Sequence, residues 1–180
     1  MRKLLSILTL SIVLLSCKKD SSDSNNGGSS TYYLKCKIDG TSREFKYYPM
    51  AKILDYGNLG GLQLSLTANE SENPTTLVGL NLSIIFMKGR PEVKTYKESD
   101  ATFDYTVGGV YNPGSMTVVY GAGLNTSLTS PLSITFTSIT DKEMTGTFHG
   151  AFYENNNTTG DISSTKHVKI TEGQFKLPIK

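Results

Sequence analysis

Few side chains in this sequence have the type and spacing that chemistry requires. His149 and His167 are the two histidines, and neither begins an H-E-x-x-H or similar metal-binding pattern. Ser163 and Lys166 form an S-x-x-K pattern, but no helix is predicted to begin there and the domain is too small for the partners of that fold. The segment Gly121-Ala122-Gly123 lacks the third glycine of a dinucleotide-binding loop and predicts a turn. We therefore predict no catalytic, cofactor-binding or metal-binding residue.

Carboxylates are the other candidates, in three loose clusters. They are Glu70 with Glu72, Glu98 with Asp100 and Asp104, and Asp141 with Glu143. A small hydrolase of the glycosidase type would need two carboxyl groups about 5 to 9.5 Å apart beside a cleft. A calcium loop would follow a D-x-[DN]-x-[DN]-G pattern, which is absent from the sequence. Solvated turns are the favoured interpretation, with a calcium-binding loop and a small hydrolase as less favoured alternatives.

The N-terminus carries an export signal. Arg2 and Lys3 precede an apolar run, residues 4–15, whose twelve residues would rise about 18 Å as a helix, well short of a roughly 30 Å hydrocarbon core. This favours a secretory signal over a transmembrane span. The sequence Leu-Leu-Ser-Cys at 14–17 resembles the lipobox of bacterial lipoproteins. That resemblance implies a signal peptide over residues 1–16 and a lipid on Cys17, which would anchor the chain to a membrane.

Residues 18–31 contain no apolar side chain, so residues 17–31 are predicted to be a lipidated cysteine and a disordered tether. Asp20 and Asp23 resemble the surface-export signal of Bacteroidota lipoproteins, which implies the outer membrane and favours the cell surface over the periplasmic face. Without Arg2 and Lys3 the charges balance at 16 basic and 16 acidic residues. This balance disfavours a nucleic-acid partner, which would need a clustered basic face.

Residues 32–180 are predicted to form one antiparallel β-sandwich of about nine or ten strands, or else a small β-barrel. Threonine occurs 21 times and alanine five times, which favours pleated strands over helices. Alternation is clearest in 61–69 and 77–87. Further strands are predicted at 32–38, 93–96, 102–107, 115–120, 132–139, 144–153, 167–171 and 174–179, the last two either separate or merged into one bulged strand.

The first strand is predicted to enter a hairpin at Asp39-Gly40, a strong two-residue turn signal. That register places Ile38 opposite Thr41, Leu34 opposite Phe45, Lys35 opposite Glu44 and Tyr32 opposite Tyr47. It also sets Arg43 opposite Cys36, which fits poorly on an inward face and suggests a longer loop. Once Cys17 carries a lipid, Cys36 has no disulfide partner, and we expect it to be a small buried hydrophobe instead of a reactive thiol.

The last third of the chain carries a second resemblance. Met144-Thr145-Gly146-Thr147-Phe148 and the later Ile170-Thr171-Glu172-Gly173-Gln174-Phe175 resemble strands of small uncharacterised Bacteroidota lipoproteins. The resemblance implies a β-rich, lipid-anchored envelope protein and implies no activity. Gly146 and Phe148 share a face, so the glycine is expected to admit a neighbouring aromatic ring. His149 is expected to be partly exposed on the opposite face, with Thr147 and Ala151.

Tyrosine offers the one candidate binding surface. The outward members of two tyrosine doublets, Tyr33 and Tyr48, would share a face of the first hairpin and could form an aromatic platform for a glycan or protein partner. Ordinary cross-strand packing is the favoured alternative. We therefore expect a non-enzymatic envelope module that binds a ligand or partner. A structural accessory subunit of an envelope complex is the second hypothesis, and a small hydrolase is the third.

Overall fold

Alternating apolar and polar residues produce eleven strands in the computed structural model, which describes residues 31–57, 61–73, 78–100, 104–123 and 130–180. The predicted signal peptide, Cys17 and nearly all of the predicted tether lie outside the described residues. The strands are β1 (Tyr33–Ile38), β2 (Thr41–Phe45), β3 (Tyr47–Asp55), β4 (Leu62–Asn69), β5 (Val78–Phe86), β6 (Thr95–Lys97), β7 (Tyr105–Pro113), β8 (Val118–Ala122), β9 (Ser133–Ile139), β10 (Glu143–Asn156) and β11 (Ile162–Pro178). One 3-10 turn, Glu98–Asp100, follows β6.

The strands form a single antiparallel sheet that curls into a nearly closed barrel. Its order is β2-β1-β11-β10-β8-β7-β5-β4-β3, with β9 also pairing with β10, and β6 with β9. The two ends of this path, β2 and β3, are consecutive in the chain and separated by one residue, Lys46. The prediction of an all-β domain is confirmed, with eleven strands instead of nine or ten. The curled single sheet corresponds to the barrel alternative.

The first hairpin has the predicted two-residue turn. Ile38 pairs with Thr41, Leu34 with Phe45 and Lys35 with Glu44. Cys36 does lie opposite Arg43, so the expectation of a longer loop is wrong. The physical reason is that β2 is an edge strand, so the Arg43 side chain can reach past the sheet edge to Glu70.

The strand from Tyr47 to Asp55 was not predicted. Tyr47 pairs with Asn69 on β4 and not with Tyr32, and the register shifts by one residue between Tyr47 and Met50. Tyr48, at this shift, has a φ of 52°. Because the shift interrupts the alternation of side chains, the period-2 pattern is hidden in the sequence.

The barrel interior is filled by side chains. Its largest fully buried members are aromatic: Tyr96, Phe45, Phe136, Phe148, Phe152 and Phe175. Edge-on ring contacts join Phe86 to Tyr96 at 5.3 Å, Tyr96 to Phe136 at 6.0 Å and Phe136 to Phe175 at 5.6 Å. Burying such rings supplies much of the favourable free energy of a core of this size.

The two long strands β10 and β11 form the longest pairing in the sheet. The last two predicted strands are merged into β11, and the register of the β10–β11 pairing shifts between Phe148 and Gly150 and again between Tyr153 and Asn155. Gly146 lies opposite Phe175, and a Cβ atom on this glycine would meet the Phe175 ring at 2.5 Å. The expectation that Gly146 admits an aromatic ring is therefore confirmed.

Candidate functional site

The register shift in β11 creates the candidate site. Phe148 pairs with Gly173, but two residues later Gly150 pairs with Ile170, so β11 carries one extra residue. The same extra residue separates the pairs that β11 makes with β1 on its other side. Glu172 lies in this bulge with a φ of 52°, a left-handed conformation that few non-glycine residues adopt. Bulges of this kind are over-represented beside functional sites, because they redirect side chains.

A shallow concavity of about 490 Å³ lies over the bulge, and we call it the bulge groove. Gly150 of β10 and Gly173 of β11 are among its lining residues. Its polar walls are Ser130, Thr147, His149, Lys169, Thr171, Glu172 and Gln174. Because the ladder is locally interrupted here, polar side chains from both strands converge on one side of the sheet.

Lys37 forms an exposed ion pair with Glu172, in which the Lys37 Nζ donates to Glu172 Oε1 at 2.8 Å. Beyond this ion pair lies a second concavity of about 600 Å³, lined by the polar outer residues of β1 and β2. Glu172 and Gln174 line both concavities. The bulge therefore lies between two adjoining concavities, and Glu172 is the charged group that lines both of them.

The groove offers hydrogen-bonding groups of every class. The ammonium group of Lys169 donates, the Glu172 carboxylate accepts, and the Gln174 amide and the hydroxyls of Thr147 and Thr171 do both. A shallow surface that combines these polar groups with apolar area suits a ligand that presents both, such as a glycan or an extended peptide.

The two histidines lie in different surroundings. His149 is exposed at the edge of the bulge groove, as expected, beside exposed Thr147. Ala151 is buried, which corrects its expected exposure, because residues 130–132 lie against this part of β10. The Ala151 N–H donates to the Ser130 carbonyl at 2.9 Å, and a Cβ atom on Gly150 would meet Leu132. His167 packs on the Tyr153 ring, with centroids 5.2 Å apart.

The two tyrosines of the expected aromatic platform lie on strands that are not neighbours. Tyr33 is on β1, and the Nζ of Lys35 lies 4.8 Å from the centroid of its ring. Tyr48 is on β3, which pairs with β4, and its hydroxyl donates to the Glu72 carbonyl at 3.4 Å. Their role in binding stays a prediction.

Cys36 is buried, as expected. Desolvation raises the pKa of its thiol to about 12, and the nearby Arg43 guanidinium offsets part of this rise. Arg43 is itself turned toward Glu70, with its Nη1 3.1 and 3.2 Å from the two carboxylate oxygens. The thiol is therefore a neutral core group, far from the thiolate state that nucleophilic chemistry requires.

Each of the three expected carboxylate clusters contains a group with a defined structural contact, which for Glu70 is its pair with Arg43. Glu98 accepts a hydrogen bond from the Leu132 N–H at 3.0 Å, and Glu143 pairs with Lys176 at 3.3 Å. Within the described ranges, three or more histidine, cysteine or acidic residues nowhere come together in a way that could hold a metal ion. The same residues contain no helix long and apolar enough to cross a membrane.

The segment Gly121-Ala122 ends strand β8, and only Gly123, with a φ of 83°, turns the chain. Ser163 lies in strand β11, so no helix begins at the S-x-x-K pattern. The groove residues Lys169, Glu172 and Gln174 were not predicted as a site. The only sequence signal near them was Glu172-Gly173, where a bulge was one of two interpretations.

In comparisons with known proteins, no protein-family model, no curated protein and no solved structure matches the chain.

Proposed function

We propose that this chain is a lipid-anchored protein of the bacterial outer membrane, and that it binds a glycan or protein partner through the outer surface of its barrel without catalysing a reaction. The observation that carries the binding site is the bulge groove, where polar groups from β10 and β11 converge around Glu172. A left-handed glutamate costs roughly 1–3 kcal/mol, and such conformations cluster at binding and catalytic sites. The filled barrel interior supports a ligand site on the outside.

The proposed anchor rests on the sequence, since Leu-Leu-Ser-Cys at 14–17 resembles a lipobox. It is tested by labelling cells with a radioactive fatty acid and immunoprecipitating the protein. Label on the wild type and its loss in Cys17→Ala are expected. Equal labelling of both chains, or none on either, would overturn the anchor.

The cell-surface position that Asp20 and Asp23 favour is tested by protease shaving of intact cells, followed by blotting. Loss of the protein without lysis is the expected result. Survival until lysis, with a lysed control fully digested, would place the barrel on the periplasmic face.

The binding site is tested with the wild type and His149→Ala/Gln174→Ala on arrays of glycans and envelope proteins. Both side chains are exposed, so the variant should fold. We expect to find a ligand that this double variant no longer binds. The control variant Thr106→Ala, at an exposed position on the outer face of β7, should still bind it. A ligand that the double variant and Thr106→Ala bind equally well would show that the binding site lies outside the groove.

A further inference from the structure

Four apolar side chains are exposed together at one end of the barrel. Leu54 and Ile85 flank Gln63 in one outward-facing row across β3, β4 and β5. Tyr56 and Met87 follow the ends of β3 and β5, and the Tyr56 hydroxyl donates to Gln63 Oε1 at 2.7 Å. Between 38% and 56% of each apolar residue is accessible to solvent. We call Leu54, Tyr56, Ile85 and Met87 the apolar rim.

The chain enters the barrel at this same end. Strand β1 begins at Tyr33 and runs antiparallel to β11, so its start lies beside the end of β11. Just beyond β11, Ile179 forms a parallel bridge with Ala51 of β3. Strand β3 therefore runs toward the end of the barrel where β1 starts, and it finishes immediately before Tyr56.

This shared end limits where a membrane anchor would hold the barrel. About fifteen residues separate Cys17 from the first strand, and a flexible chain of that length spans roughly 20 Å on average. A lipid on Cys17 would therefore keep the apolar rim within reach of the bilayer. Met116, in the β7–β8 turn at the opposite end, would point away from it.

We propose that the apolar rim lies on the surface of the phospholipid bilayer to which the chain is anchored, an inference that rests on the proposed lipid at Cys17. Aliphatic and tyrosine side chains suit the boundary between lipid headgroups and hydrocarbon. The charges nearby are partly balanced, for example in the Lys88–Asp104 pair at 3.7 Å, so apolar contact and not charge supplies the attraction. The anchor makes this weak contact intramolecular, which raises its effective concentration.

The experiment places a fluorescent probe at each end of the barrel. Met87→Cys and Met116→Cys are labelled with an environment-sensitive dye in the full lipidated chain. Both positions are exposed, at 56% and 83%, and the buried Cys36 should not react. The labelled proteins are reconstituted in vesicles of phosphatidylethanolamine and phosphatidylglycerol that contain nitroxide-labelled lipid. We expect a blue shift and loss of most emission at position 87, with little change at position 116.

Flotation of the same samples separates the two proposals. Protein that fails to float with vesicles would overturn the anchor. Protein that floats but shows equal quenching at positions 87 and 116, or none at either, would overturn rim docking and leave the anchor standing. Crosslinking of position 87 to a protein in cells, with no quenching in vesicles, would also overturn rim docking and assign the surface to a protein partner.

Discussion

Gly146 on β10 lies directly opposite Phe175 on β11, and two positions further along each strand the arrangement is reversed, with Phe148 opposite Gly173. Each phenylalanine ring covers the glycine of the other strand. A Cβ atom on Gly146 would lie 2.5 Å from the Phe175 ring, and one on Gly173 would lie 2.7 Å from the Phe148 ring. The two G-x-F segments are therefore complementary halves of one packing unit.

Replacing either glycine with alanine is expected to be strongly destabilising. The new methyl group of Gly146→Ala would also meet the Thr135 carbonyl, which is backbone and cannot rotate away. We expect a loss of about 3 kcal/mol or more in the free energy of unfolding, at or above the upper end of overpacking costs. Urea denaturation measures it. Gly108→Ala on β7, where the nearest atom is 3.3 Å away, is the matched control and should lose much less. Similar losses in both would contradict this packing.

Burial of Cys36 predicts a pH dependence. The pKa of the thiol rises from 9.0 to about 12 on folding, so the folded state disfavours the thiolate. The thiol's contribution to stability is complete below pH 9 and is lost as the pH rises toward 12, by up to about 1.4 kcal/mol per pH unit. The Cys36→Ala chain has no thiol and should lack this pH-dependent contribution to stability. The difference in urea midpoint between the wild type and Cys36→Ala should therefore shrink or reverse above pH 9. A difference that stays constant from pH 7 to pH 11 would contradict it.

Removing the hydroxyl group of Tyr96 is expected to have a smaller effect on stability. Its ring is buried in the aromatic core, and its oxygen accepts a hydrogen bond from the Glu92 N–H at 2.9 Å. Tyr96→Phe should lose about 1 kcal/mol, since the Glu92 donor would lose its partner. Tyr105→Phe, whose ring also contacts Tyr96, serves as the control. An unchanged midpoint in Tyr96→Phe would show that water replaces the hydroxyl group.

Strand positions were predictable where the alternation is largely unbroken. Leu62–Asn69 alternates throughout, Val78–Phe86 does so except at the outward Ile85, and both strands lie where the sequence predicts. Prediction failed for β3, since the shift at Tyr48 reverses which side chains point inward. The bulge groove was also beyond prediction, because Lys169 and Gln174 are ordinary outward residues until a bulge brings them together with His149. Such convergence depends on register across strands, which no local pattern encodes.

The left-handed conformation of Glu172 gives the last prediction. Glycine adopts a φ of 52° without steric cost, so Glu172→Gly should relieve strain. The Lys37 ion pair that it removes is largely exposed and worth little. We expect a net stabilisation of roughly 0.5 kcal/mol in urea denaturation, after the larger entropy loss of glycine on folding.

The variant Glu172→Gln distinguishes the effect of backbone strain at this position from the effect of the carboxylate charge. It keeps the left-handed backbone and removes the carboxylate, so it should be neutral to slightly destabilising. If the bulge groove binds the ligand, both variants should weaken binding while only Glu172→Gly gains stability. That combination is the stability–function trade-off expected of a strained site. A Glu172→Gly chain that is less stable than Glu172→Gln would show that the left-handed glutamate stores no strain.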